Sequence, residues 1–229
     1  MRAYTSLVGH LLGSHPEIDG YYEMHQSYAS VEDLARQAQR YAEQHSPKPG
    51  SRYLFDKLLH NDYTLALEQL DPDRTTVLMA LRPPEPTLKS IVSLFARKPG
   101  NDPYADPRGA ATYYIERLHA LAAFGQQYPR RFYYFDAALI RTDTARVLAA
   151  LGAWLQLGSP LTERYQSFAR TGLAGAGDSS PAIASGRVIR AESPYSGIVL
   201  DAESLQQAQA AYQDCRRQLV EHARESLTA

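Results

Sequence analysis

Apolar residues follow two rhythms along this chain, a helical spacing and short uninterrupted runs, and the two alternate. Residues 5–13 (TSLVGHLLG) read as a short helix: Thr5 or Ser6 caps it, Leu7, Leu11 and Leu12 form its apolar face, and Gly13 sits at the C-cap. After the turn Ser14-His15-Pro16, residues 18–22 predict a strand. Residues 30–43 predict a helix with Ser30 as cap and Asp33 three positions on. The Pro- and Gly-containing stretch 46–50 breaks it, and residues 53–55 (YLF) read as a strand. A helix is expected over 63–70, a turn at 71–73, and a buried parallel strand over 75–81 (TTVLMAL). Further helices are expected over 87–96, 109–128, 142–157 and 202–226, a strand over 131–135, and exposed loop over 98–108. Residues 171–186 are rich in Gly, Ala and Ser, and the wider region 170–200 reads as loop.

Strands alternating with helices of this length predict an α/β fold built from parallel βαβ units, a parallel sheet flanked by helices. With 229 residues, 44% of them hydrophobic, a single domain over 1–229 with a sizeable core is expected. One element is missing from the pattern. Such a sheet opens with a strand leading into its first helix, whereas here the helix begins almost at Met1.

Composition narrows the partners. Twenty-four basic and 25 acidic residues give a net charge of −1, which argues against a cationic face for nucleic acid but leaves room for a local anion pocket. A lone cysteine, Cys215, excludes an intramolecular disulfide and a multi-cysteine zinc site. No HExxH and no EF-hand-type acidic run is present, so no metal is expected. No apolar run reaches the ~20 residues of a membrane span, and no signal-peptide core follows the first residues. The expectation is a cytoplasmic protein.

The candidate chemistry is anion binding. Arg2, Thr5 and Ser6 bring a guanidinium and two hydroxyls to the first turn of a helix, where free N–H groups carry positive partial charge. Arg82 follows the apolar strand at its carboxyl end, the edge where open α/β sheets bind ligands, and Ser90 lies on the next helix, so the pair could grip a second phosphate. Lys57 follows the strand 53–55 in the same way. Arg2, Lys57 and Arg82 are therefore expected on one edge of the sheet.

The stretch from Arg2 to His25 (RAYTSLVGHLLGSHPEIDGYYEMH) resembles the opening of sulfotransferases that use 3′-phosphoadenosine 5′-phosphosulfate (PAPS). Its spacing is similar to that of the bacterial and protein-tyrosine enzymes. The resemblance implies that Arg2, Thr5 and Ser6 hold the 5′-phosphosulfate and that Glu23 is the catalytic base. Residues 78–90 (LMALRPPEPTLKS) resemble the family's second hallmark, which assigns the 3′-phosphate to Arg82 and Ser90. Asp56-Lys57 resembles an Asp-Lys pair whose lysine approaches the sulfuryl group. Asp136 stands where an acidic residue is expected after the strand at 131–135. Arg170-Thr171-Gly172 with Gly177-Asp178 resembles the loop that closes over the nucleotide, which adds Arg170 to the nucleotide ligands. Two departures stand out: Ala3-Tyr4 replaces Ser-Gly, and the strand that precedes the basic residue is absent.

The resemblance implies a P-loop-type three-layer α/β sandwich lacking its first strand. The implied activity is in-line sulfuryl transfer from PAPS, without a metal, to a hydroxyl acceptor: a glycan, lipid or small molecule. His25, two residues beyond Glu23, shares its side of an extended strand and is the rival base. Two alternatives stay open. One is a P-loop kinase-like phosphotransferase, against which the absence of Gly-x-x-x-x-Gly-Lys-Ser/Thr counts; the other is a truncated, non-catalytic protein of the same fold.

Overall fold

The computed structural model describes residues 2–100, 102–173, 181–191, 195 and 197–229. Along the chain come α1 (Thr5–Gly13), β1 (Ile18–Asp19), α2 (Val31–Ala42), β2 (Tyr53–Leu54), β3 (Val77–Leu81) and α3 (Pro84–Phe95). A 3₁₀ turn (Pro103–Ala105) precedes α4 (Pro107–Gln127), β4 (Phe132–Asp136), α5 (Leu139–Thr142) and α6 (Thr144–Trp154). The chain closes with α7 (Pro181–Ala184), α8 (Ala202–His222) and β5 (Ser226–Leu227). The class is mixed α/β, with small parallel sheets flanked by helices. Instead of one continuous sheet, the described strands form two, β1-β2 and β3-β4-β5. The residues sort into two compact units: Met1–Ala3, Val77–Ala138 and Ala191–Ala229 in the first, Tyr4–Thr76 and Leu139–Arg190 in the second.

In the first unit β4 is the central strand, parallel to β3 from Val77↔Phe132 to Leu81↔Asp136 and parallel to β5 on its other side. All five of its residues (FYYFD) are buried, so it shows no polar alternation, as expected of a parallel strand covered on both faces. Phe132 and Tyr134 share one apolar cluster with Leu88 and Ile91 of α3, Leu118 of α4, and Tyr212, Cys215 and Leu219 of α8. Burial pushes the Cys215 thiol up to about 12, leaving it a small core side chain. The helix starts follow local rules: Pro84 opens α3, and the Asp106 carboxylate accepts the N–H groups of Arg108 and Gly109 ahead of α4.

At the carboxyl end of β4, Asp136 accepts a two-pronged grip from Arg216 (2.8 and 2.7 Å), the Tyr134 hydroxyl (2.6 Å) and the Ala229 N–H (2.9 Å). Burial alone would raise its pKa, but these donors outweigh burial and hold the carboxyl below the usual range. A depressed carboxylate adds stability that is complete above its unfolded value and is lost as pH falls through the folded one. Wild type should therefore exceed Asp136→Asn in urea midpoint by a constant margin near neutrality, and the margin should shrink below about pH 4. A margin unchanged down to pH 2 would contradict this.

In the second unit β1 and β2 pair in parallel, Ile18↔Tyr53 and Asp19↔Leu54. Helix α1 lies close to the segment after β1: a Cβ on Gly9 would come 2.6 Å from the Tyr21 carbonyl oxygen. Gly20 has φ +82°, and a Cβ there would meet the Phe55 carbonyl oxygen at 2.3 Å, so only glycine fits where β1 leaves the sheet beside β2. The Lys48 ammonium binds the carbonyls of Gly13, His15 (2.9 Å) and Ile18 (2.6 Å), joining the last residue of α1, the turn after it and the start of β1. Ser30 and Asp33 make the expected reciprocal cap of α2.

Four expectations about elements are corrected. Residues 63–70 are not a helix, because Thr64 and Ala66 pair with the backbone of Tyr28 (2.9 and 2.8 Å) and draw the chain out. The first strand ends at Asp19, not at residue 22. The helix expected over 142–157 is α6, which starts only at Thr144, after Asp143 with φ −142°, and ends at Trp154. Helix α8 stops at His222 instead of 226, since the backbone beyond it pairs with β4, Arg224 donating to Phe132 (2.7 Å) and Tyr134 to Glu225 (3.1 Å). Within 170–200, residues 181–184 are helical; Gly177 and Asp178 lie outside the described residues. Among the described residues no helix is long and apolar enough to cross a membrane.

Candidate functional site

Two clusters of the expected residues form, one in each unit. In the second unit α1 begins at Thr5 after Tyr4, whose φ of +57° is left-handed. That conformation costs a residue with a Cβ roughly 1–2 kcal/mol. Arg141 holds Tyr4 in place, donating to its hydroxyl at 2.9 Å and lying over its ring. No side chain of the capping residue bonds the first turn of α1, and that turn contains no acidic residue. Its end therefore keeps the positive character that suits an anion.

The Lys57 ammonium reaches this turn. Lys57 is buried, with Nζ 3.4 Å from the Ser6 hydroxyl oxygen and 3.7 Å from Oε1 of Glu23. The other Glu23 oxygen lies 4.0 Å from Nδ1 of His25, whose side chain is half exposed. Glu23 sits in irregular backbone beyond β1, and His25 has a φ of +52°, so the two do not share a strand face as expected. They approach because the chain turns between them. Thr5 occupies the first helical position, partly buried, and it is Ser6 that meets Lys57.

Beneath this group lies Asp56. Its Oδ1 accepts the N–H groups of Met24 (2.8 Å) and Lys57 (2.6 Å), and its Oδ2 accepts the Tyr28 hydroxyl at 2.5 Å. Burial raises the pKa of the Asp56 carboxyl, and the three donors offset this only in part. Burial and the neighbouring Asp56 charge together push the Tyr28 phenol far up, so it stays a donor.

Arg170 sits on an exposed turn with its guanidinium 5.0 Å from the Tyr22 ring, and its backbone N–H donates to the Tyr21 hydroxyl at 3.0 Å. The segment is tied to α1 through buried His10, whose ring nitrogens lie 2.8 Å from the Ser6 carbonyl oxygen and 2.8 Å from the Thr171 hydroxyl. Phe168 of the same segment stacks on Tyr21 at 4.1 Å. A separate cavity of about 340 Å³ lies near the carboxyl end of α1 and is lined by His15, Ser159, Arg164 and Tyr165 among others. His15 contacts Ser159 at 2.8 Å but accepts the Glu17 N–H on Nδ1. A neutral ring must then carry its proton on Nε2, which leaves no base for the serine.

In the first unit Arg82 follows β3 and Ser90 lies on α3, both buried. Ser90 Oγ accepts from Arg2 Nε (2.9 Å) and from the Tyr195 hydroxyl (3.1 Å), while the Arg82 guanidinium donates to the Arg2 carbonyl at 3.2 Å. The Arg82 carbonyl is itself fixed by the Tyr114 hydroxyl at 2.7 Å. A cavity of about 30 Å³ beside Arg82, lined also by Tyr114 and Arg117, has room for about one water. Arg2 and Arg82 thus lie together as expected, but Arg2 is engaged with Ser90, the residue expected at the other phosphate, whereas the expectation placed it with Thr5 and Ser6. Lys57 belongs to the other unit, with Ser6, Glu23 and His25.

Tyr195, His10 and Tyr28 join these clusters without having been expected there, and Asp56 enters them beyond its place in the Asp-Lys pair. The one signal for them in the sequence is Asp56 directly before Lys57. Among the described residues no group of three or more His, Cys, Asp or Glu side chains is placed to hold a metal ion. No protein-family model matches the chain, and no curated protein or solved structure matches it.

Proposed function

We propose that this chain transfers the sulfuryl group of PAPS to a hydroxyl-bearing acceptor, on a fold of the P-loop-type α/β sandwich class. One observation carries the reading: a buried ammonium, Lys57, stands between the Ser6 hydroxyl in the first turn of α1 and the Glu23 carboxylate. Sulfuryl transfer, like phosphoryl transfer, asks the protein mainly for position and charge. The acceptor oxygen attacks sulfur in line, its proton passes to Glu23, and the bond from sulfur to the bridging phosphate oxygen breaks. Adenosine 3′,5′-bisphosphate leaves. Lys57 and the α1 start stabilise charge on the bridging oxygen and peripheral oxygens. Arg82 and Ser90 are the ligands assigned to the 3′-phosphate, Arg2, Thr5 and Ser6 to the 5′-phosphosulfate, and Arg170 to the nucleotide.

Equilibrium binding without magnesium tests the assignment. Adenosine 3′,5′-bisphosphate should bind more tightly than adenosine 5′-monophosphate. Arg82→Ala should erase most of that difference, weakening the bisphosphate about 10- to 100-fold while hardly altering the monophosphate. Preference for ATP with magnesium would favour the phosphotransferase reading instead. Absence of binding to either would favour a non-catalytic protein.

A further inference from the structure

We propose that Asp56 is a positioning residue for this transfer: by accepting the Met24 and Lys57 N–H groups on one carboxylate oxygen, it fixes Glu23 against Lys57. The inference rests on the transfer reading above. Glu23 directly precedes Met24, so one oxygen anchors the backbone on both sides of the reacting pair, from segments 32 residues apart. The second oxygen is held by Tyr28, which prevents the carboxylate from rotating away. Both oxygens are therefore committed to donors of the protein itself. Asp56 is accordingly not the base; it acts through Glu23 and Lys57. Such a clamp matters because a displacement of about 1 Å at the reacting centre can cost around 100-fold.

The test follows release of adenosine 3′,5′-bisphosphate and sulfate from PAPS with water as acceptor, alongside binding of the bisphosphate and amide exchange at Met24 and Lys57. Asp56→Ala should lower kcat about 10- to 100-fold while the bisphosphate Kd stays within about twofold. The two amides should lose protection. Asp56→Asn, whose carbonyl can still accept both N–H groups, should recover turnover to within about fivefold of wild type. Should Asp56→Ala fail to fold, Asp56→Ser takes its place with the same expected loss, since a hydroxyl one atom shorter cannot span both amides. Wild-type turnover with an undiminished kcat in the folded Ala or Ser variant would overturn the positioning role and leave the transfer reading standing. No release by wild type, at any enzyme concentration, would overturn the transfer reading itself.

Discussion

Glu23→Gln should lower PAPS turnover by about 10²–10⁴, the usual contribution of a positioned general base. The amide keeps the length and polarity of the carboxylate, so it can still sit beside the Lys57 ammonium, 3.7 Å away in the native chain. Binding of adenosine 3′,5′-bisphosphate should therefore change less than twofold. The comparison variant is His25→Ala. The His25 ring is half exposed and 4.0 Å from Glu23, and it stands on a left-handed residue outside any strand. Removing it should cost turnover no more than about threefold, in keeping with a solvent-exposed ionic contact. The reverse pattern, a small loss in Glu23→Gln and a collapse in His25→Ala, would transfer the role of base to the imidazole. Steady-state release of the bisphosphate from PAPS distinguishes the two.

The elements legible in the sequence are those whose signal is local. Ser30 and Asp33 announce the start of α2 because both halves of the cap lie within one turn. Strand β3 shows within the apolar, partly β-branched run 75–81, and β4 as a block of aromatics. The failures are cases in which a distant partner decided the backbone. Residues 63–70 have a helix-compatible pattern, yet they pair with Tyr28, and residues 224–227 leave the helix to cover the open edge of β4. An unpaired strand edge is a strong demand that nothing near residue 226 reveals. The division into two sheets is of the same kind, because pairing is a long-range property.

The site divides along the same line. Ser6 is marked by its helix start, Lys57 by its strand end and Glu23 by the resemblance alone, and the three do meet around the Lys57 ammonium. Arg82 and Ser90 are marked by the strand-to-helix turn and meet Arg2. What supports them is not legible. His10 reaches Thr171 across 161 positions, and Tyr195 reaches Ser90 across 105. A buried histidine inside TSLVGHLLG looks like any other polar residue on a short helix until the fold supplies its partners. Tyr4 stands where the resemblance has glycine, and the position adopts a left-handed φ of +57° with a side chain that Arg141 contacts.

Lys57→Met should reduce turnover about 10²–10³-fold, the scale on which loss of one donor to a developing negative charge is felt. Its second effect separates chemistry from packing. Methionine fills most of the buried volume, but it leaves Glu23, whose side chain is only 14% exposed, without the ammonium it faces. Removing one partner of a largely buried pair costs more than the pair's net worth, here about 1–3 kcal/mol in urea unfolding. The double variant Lys57→Met/Glu23→Gln takes away both charges. It should recover most of the lost stability and none of the turnover, a non-additivity expected of side chains in direct contact. If Lys57 were only a structural counter-ion, the double variant would recover with its stability whatever Glu23→Gln alone retains. If Lys57 acts on the leaving oxygen, its turnover stays below that of either single variant.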